Sequence, residues 1–158
     1  DKDAVVAAML ICEMAAFYKT QGKTLIDVME GLYRQYGVYQ HTQLNIVCEG
    51  VSGMENMKRI MSSLRENPPA ALAGFNVVKR YDYDTSQVTD VEAGTASVIP
   101  LPRSNVLQYQ LENGASAIIR PSGTEPKIKV YLTAVASDRA SAQAVTDALT
   151  VDIKRLTA

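Results

Sequence analysis

Hydrogen-bond donors and positive charges are concentrated in the segment Arg120-Pro-Ser-Gly-Thr-Glu-Pro-Lys-Ile-Lys129. A guanidinium can bind a phosphate through two parallel hydrogen bonds, and hydroxyl groups and the backbone N–H groups of a glycine-containing turn add further donors. Two lysines at alternate positions share one face of the strand that follows. A dianionic phosphate needs these groups, and the candidate binding residues are Arg120, Ser122, Gly123, Thr124, Lys127 and Lys129.

The same segment also fits a second interpretation, a Pro/Gly turn between two strands with solvated cations beside it. Such turns are common, and the residue types alone favour the turn over the binding site. The segment is not a Walker loop, because that motif requires Gly-x-x-x-x-Gly-Lys-Ser/Thr. Its composition is therefore compatible with phosphate binding but does not establish it.

No other group of residues has the composition of a catalytic or metal site. Cys12 and Cys48 are far apart in the chain and His41 is the one histidine, which is fewer ligands than a zinc site requires. Ser122 lacks the Gly-x-Ser-x-Gly context of a hydrolase nucleophile. We therefore predict no catalytic residue and no metal ligand in this chain.

The spacing of apolar residues predicts the elements that position the segment. The first helix, over 3–20, is apolar nearly all round, which is typical of a helix buried on most sides. The second, over 24–37, begins at a capping box of Thr24 and Asp27, and the third begins at a capping box of Ser52 and Glu55. A closing helix starts near Asp138.

Apolar and polar residues alternate in several shorter segments, as in half-buried strands. The first predicted strand begins near residue 39, and the others cover 75–83, 107–111, 116–120 and 127–132. Asn113-Gly114 predicts a two-residue hairpin turn, and residues 84–104 predict a long exposed loop because they are rich in Asp, Thr, Ser and Gly.

This order of elements predicts an α+β fold with an antiparallel sheet of four to five strands and two helices on one face. We expect residues 1–38 to be a helical segment of a preceding domain and residues 39–158 to be the α+β domain. The net charge of −1 gives no general attraction to nucleic acid or to an anionic membrane. The longest apolar run, residues 4–12, is too short to span a bilayer. Two free thiols in apolar surroundings favour a reducing, cytoplasmic location.

The stretch from Arg120 through Val130-Tyr131 resembles the phosphate-binding signature of the α-D-phosphohexomutases, the phosphoglucomutase/phosphomannomutase family. Leu101-Pro-Arg-Ser-Asn-Val-Leu and Leu111-Glu-Asn-Gly resemble the strands before that signature. Asp1-Lys-Asp-Ala-Val and the helices up to Gly37 resemble the end of the family's third domain. The resemblance implies a C-terminal fragment whose main part is the fourth domain, with a TATA-binding-protein-like arrangement. It also implies that Arg120, Ser122, Gly123 and Thr124 hold the non-reacting phosphate of the substrate. Lys129 and Lys127 would add positive charge.

The family interconverts hexose 1-phosphate and hexose 6-phosphate through a phosphoserine and a bisphosphate intermediate. The resemblance thus implies an isomerase that needs Mg²⁺ and a hexose 1,6-bisphosphate activator, with a phosphosugar and the N-terminal mutase domains as partners. The serine, metal and sugar loops of the family have no counterpart in this chain. We therefore expect the chain alone to be inactive, and its sequence does not specify the sugar. The alternative is a stand-alone module that binds a phosphorylated ligand without catalysis.

Overall fold

Caps at their N-termini begin the two leading helices, α1 (Ala4–Lys19) and α2 (Leu25–Tyr36). The Asp3 carboxylate accepts the Val6 N–H at 2.9 Å, and Thr24 and Asp27 form the predicted capping box. The computed structural model describes residues 3–158. Asp1 and Lys2, which belong to the predicted segment 1–38 and to the family-like stretch at its start, lie outside the described residues.

Helix α1 is exposed, contrary to the prediction that it is buried on most sides. Neither α1 nor α2 has a buried residue within the part of the chain that the structure describes, and apolar side chains such as Val5, Met9 and Phe17 face solvent. The sequence correctly shows an apolar surface, but no described element covers it. The predicted domain boundary at residue 38 stays a prediction.

Eight strands form one antiparallel sheet in the order β1-β8-β7-β6-β3-β4-β5, with β2 paired to β3. Their bounds are β1 Val38–Val47, β2 Ala71–Leu72, β3 Phe75–Asp82, β4 Gln87–Asp90, β5 Thr95–Val98, β6 Leu107–Leu111, β7 Ser116–Pro121 and β8 Lys127–Ala136. The tight turn at Asn113-Gly114 joins β6 to β7, and Gly114 has a φ of 84°, a conformation that favours glycine.

The α+β class is confirmed, but the sheet has more strands than the four to five predicted. The difference lies mainly in residues 84–104, which were expected to form a loop and instead contain the β4–β5 hairpin. Strands of four residues give too short a pattern to recognise, and the polar residues between them are turn residues. The carboxylate of Asp90 accepts the Ala93 N–H at 3.0 Å, and Gly94 has a φ of 64°.

Helices α3 (Gly53–Glu66) and α4 (Arg139–Leu156) share one hydrophobic core with one face of the sheet, as predicted. The core side chains of these helices and of the central strands are Met57, Ile60, Met61, Leu64, Leu149, Ile153, Tyr109, Leu111, Ile119, Ile128, Val130 and Leu132. Alternate residues of β8, such as Ile128 and Val130, enter the core, so Lys127 and Lys129 lie on the opposite face.

The predicted capping box at the start of α3 is wrong. The Ser52 side chain makes no capping hydrogen bond; instead, the Gly53 N–H donates to the Gly50 carbonyl at 3.1 Å. At the start of α4, the Asp138 carboxylate accepts the Ser141 N–H at 2.9 Å, as expected for an N-cap. Among residues 3–158, no helix has both the length and the apolar character needed to cross a membrane.

Candidate anion-binding site

The segment 120–129 is a turn whose two ends are fixed by the β7–β8 ladder. Arg120 lies directly opposite Lys129, and the Ser122 N–H donates to the Lys127 carbonyl at 2.8 Å. The Ser122 hydroxyl oxygen accepts the N–H groups of Thr124 and Glu125 at 3.4 and 3.3 Å. Ser122 thus orders the turn as an acceptor, and its O–H is left to donate to another group.

The inner side of the turn rests on the junction between β1 and α3. The Cys48 N–H donates to the Pro126 carbonyl at 2.8 Å. A Cβ atom on Gly53 would lie 2.1 Å from the Cys48 carbonyl oxygen and 3.0 Å from the Pro126 Cβ. Gly53 therefore permits the close approach that holds Pro126. Sequence reasoning missed this residue, although a glycine at the first helical position, next to a presumed Ser52 cap, is a signal of tight packing.

An open cavity of about 260 Å³ lies over the turn. It is lined by Arg120, Pro121, Ser122, Gly123, Thr124 and Lys129. The structure thus brings together five of the six candidate residues, and Lys127 is the exception. Lys127 instead forms a salt bridge with Glu125, and the lysine's hydrogen bond and charge lower the pKa of the Glu125 carboxyl below its usual value.

The two cations that line the cavity are available to a ligand. Neither Arg120 nor Lys129 forms a salt bridge with any residue of 3–158. Lys127 and Glu125 offset each other, so the turn presents a net positive charge from Arg120 and Lys129. This arrangement attracts an anion and repels a metal cation.

Gly123 is not required by the fold itself. Its φ lies outside the left-handed region, and an added Cβ would have nothing within 4 Å. The backbone of Gly123 is therefore open to the cavity, with no side chain to cover it. His41 lies outside the cavity on β1, where its Nδ1 is 3.1 Å from the Thr133 hydroxyl oxygen.

The residues present do not fit the Mg²⁺ that the family resemblance implies. Within residues 3–158, no group of three His, Cys, Asp or Glu side chains converges as a metal site requires. The one carboxylate of the turn, Glu125, is held by Lys127. Residues 3–158 therefore present no site at which Mg²⁺ could act.

The antiparallel sheet, the two covering helices and the cationic turn at one end of β7 and β8 define an α+β domain. A family model described as phosphoglucomutase/phosphomannomutase, C-terminal domain, matches residues 55–150, which is more than half of the chain and includes the turn. The chain therefore belongs to the phosphoglucomutase/phosphomannomutase family, and it matches the C-terminal domain of that family.

Sequence relatives agree with this assignment. A phosphoglucomutase of Staphylococcus aureus (strain bovine RF122 / ET3-1) is 41% identical over 133 residues, and one of Staphylococcus haemolyticus (strain JCSC1435) is 38% identical over 133 residues. Each alignment covers 84% of this chain and 24% of the relative. The chain thus spans about a quarter of the length of these relatives.

A solved structure shows the same fold. The exocytosis-sensitive phosphoprotein pp63/parafusin, a phosphoglucomutase from Paramecium in its open form, superposes with a TM-score of 0.59 over 99% of this chain and 27% of that protein. The sequence identity is 16%, so this similarity concerns the fold alone.

Proposed function

We propose that the turn 120–129 binds the phosphate group of a phosphosugar, and that it does so as part of a phosphohexomutase. The observation that carries this proposal is the convergence of Arg120, Lys129 and Ser122 on one open cavity, with no carboxylate paired to either cation among residues 3–158. Relatives at about 40% identity bear the name phosphoglucomutase. The proposed reaction interconverts hexose 1-phosphate and hexose 6-phosphate, an isomerisation.

Each group of the turn has a separate role in the proposed complex. Arg120 binds two phosphate oxygens through its planar guanidinium, and Lys129 supplies a second positive charge from the neighbouring strand. Ser122 and Thr124 donate from their hydroxyl groups, and the Gly123 backbone allows close approach. Lys127 balances Glu125 and contributes only if that salt bridge opens. The turn thus holds the phosphate that does not react.

The bond-making groups of the proposed mutase belong to the part of the relatives that this chain does not cover. We place there the phosphoserine, the Mg²⁺ that would stabilise the transferring phosphoryl group, and the contacts that select the sugar. A hexose 1,6-bisphosphate would serve as activator in the cytoplasm. The 158-residue chain alone therefore has no mutase activity, and turnover of glucose 1-phosphate by the purified chain, free of host enzyme, would contradict the proposal.

Titration of the ¹⁵N-labelled chain with glucose 1-phosphate and with inorganic phosphate tests the turn directly. We expect saturable shifts of the amide signals of residues 120–129 at millimolar ligand, because the missing domains contribute most of the sugar contacts. Arg120→Ala should weaken phosphate binding by roughly tenfold or more, because it removes a charge-assisted, bidentate pair of hydrogen bonds.

Arg155→Ala is the matched control. Arg155 is also exposed, but it lies in the last turn of α4 and pairs with Asp152. This variant should bind as the unchanged chain does. Turn signals that do not move at saturating phosphate, or that move equally in Arg120→Ala, would refute the proposed role of the turn.

A further inference from the structure

A second cavity of about 260 Å³ lies beside the C-terminal end of α3, and it shares no residue with the cavity over the turn 120–129. Its lining combines polar and apolar side chains from α3, β3, β4, β6 and the segments that follow α3 and β3: Leu64, Arg65, Pro68, Arg80, Tyr81, Asp82, Thr85, Gln87, Thr89, Leu107 and Tyr109. Arg80 lies opposite Tyr109 on one side and Thr89 on the other. Because directly paired residues share a face, Arg80 lies on the face of the sheet that holds the core.

Arg80 lacks the partners that a partly buried guanidinium normally has. Its Nε is shielded from solvent and has no hydrogen-bond acceptor within residues 3–158, and no carboxylate there forms a salt bridge with it. An N–H donor removed from water without an acceptor loses its hydrogen bond to water and gains none in exchange. The side chain is therefore poised to gain from an anion.

The neighbouring polar groups are already engaged. Asp82 is bound by Arg65, with 3.2 Å between the Arg65 Nε and the carboxylate oxygen. The Tyr109 hydroxyl donates to the Leu64 carbonyl at 3.0 Å, and burial raises the pKa of Tyr109 to about 12, so this hydroxyl is protonated near neutral pH. With Arg65 and Asp82 offsetting each other, the charge of Arg80 remains uncompensated.

We propose that this cavity binds a small organic monocarboxylate through Arg80. A single negative charge matches the single uncompensated cation, whereas a phosphate dianion would bring one charge too many into a partly buried site. The planar carboxylate fits the guanidinium fork, and Thr89 and Gln87 supply hydrogen-bonding groups nearby. Leu64, Pro68 and Leu107 form an apolar wall against which a short carbon chain can pack.

Titration of the labelled 158-residue chain with sodium butyrate, monitored at the arginine Nε–H signals and the backbone amides, tests this site. We expect saturable shifts at the Arg80 Nε–H and at the amides of Thr85 and Thr89, with no such change in sodium chloride at the same ionic strength. Arg80→Gln should weaken butyrate binding by about tenfold. Arg80→Lys, which keeps the charge and loses the fork, should weaken it less and guards against a folding defect in the first variant.

Ligand binding in the two cavities should respond independently to substitution. Arg120→Ala should leave the butyrate response of Arg80 intact, and Arg80→Gln should leave the phosphate response of residues 120–129 intact. The inference is overturned if butyrate causes no saturable shift at Arg80, or if a folded Arg80→Gln chain binds butyrate unchanged. It is also overturned if inorganic phosphate occupies the Arg80 cavity as tightly as butyrate does, because the site would then not select a monocarboxylate.

Discussion

Replacement of Gly53 by alanine should disturb both the stability of the domain and the cationic turn. The added Cβ would lie 2.1 Å from the Cys48 carbonyl oxygen, 3.2 Å from the Cys48 carbonyl carbon and 3.0 Å from the Pro126 Cβ. The oxygen is a backbone atom of the residue that directly follows β1, so no side-chain rotation can relieve the clash. The Cys48 N–H also holds the Pro126 carbonyl, which means that any movement here is passed to the turn.

The size of the effect follows from these distances. The Cβ–oxygen distance must open from 2.1 Å to ordinary contact at 3.4–4 Å, so either the start of α3 or the Cys48–Pro126 junction has to move by more than an ångström. Overpacking of this kind costs about 1–3 kcal/mol. Alanine recovers about 0.5–1 kcal/mol through its better helix propensity and its smaller backbone entropy loss. We therefore expect a net loss of about 1–2 kcal/mol in the free energy of unfolding.

Urea unfolding and phosphate titration of the labelled protein measure the two effects separately. The matched control is Gly31→Ala in α2, where the added Cβ would meet nothing closer than the Arg34 Nη2 at 4.0 Å and should stabilise the chain slightly. Gly53→Ala should lower the urea midpoint, shift the amide signals of Pro126's neighbours and weaken phosphate binding several-fold. If Gly53→Ala unfolds at the same urea concentration as the parent chain and its turn signals are unmoved, the packing argument is wrong.

Two further substitutions probe the core and the turn. Burial raises the pKa of the Tyr109 hydroxyl to about 12, above the ordinary tyrosine value of about 10, so the folded state keeps this proton to higher pH than the unfolded chain does. The raised pKa of Tyr109 contributes fully to the free energy of unfolding below about pH 10. This contribution should be lost as pH rises towards about 12, at about 1.4 kcal/mol per pH unit. Urea unfolding at several pH values should show this slope, and Tyr109→Phe should lack it. Glu125→Gln frees Lys127 and removes a negative charge beside the cavity, so phosphate affinity measured by amide titration should rise roughly twofold at low salt. The control is Glu92→Gln, which removes the same charge from the β4–β5 hairpin at the other end of the sheet and should leave the phosphate affinity unchanged. An unaltered phosphate affinity in Glu125→Gln would show that Lys127 stays outside the site.

Secondary structure that depends on local sequence could be predicted, and structure that depends on distant contacts could not. The Thr24 capping box and the Asn113-Gly114 turn are determined by neighbouring residues, and the capping box forms as expected. The turn forms at the predicted place, but three residues, 112–114, lie between the paired Leu111 and Ala115 instead of two. Ser52 has an equally good local signal, yet the start of α3 is determined by the packing of Gly53 on Cys48. The β4–β5 hairpin is too short to recognise, because each strand has four residues and its pairing with β3 supplies what the local pattern lacks.

The residues of the candidate site were predictable as a set, but their pairing was not. Alternation along β8 correctly places Lys127 and Lys129 on one face, opposite the core. Spacing alone could not show that Glu125 turns back to bind Lys127 and leaves Lys129 as the lysine that lines the cavity. Arg80 gave no sequence signal, because its isolation depends on Asp82, the nearby carboxylate on its own strand, being bound by Arg65 from α3.

The turn 120–129 combines a fixed backbone with two cations, Arg120 and Lys129, that form no salt bridge within residues 3–158. The backbone is held by the Ser122–Lys127 and Cys48–Pro126 hydrogen bonds and by the ladder that pairs Arg120 with Lys129. Ordering this backbone therefore costs little when a phosphate binds, and the donors are already directed to one cavity. The same openness limits affinity, because exposed cations in water gain little from a single phosphate. Strong binding requires a surface that closes over the cavity and excludes water, and in the proposed mutase the remaining domains would supply it.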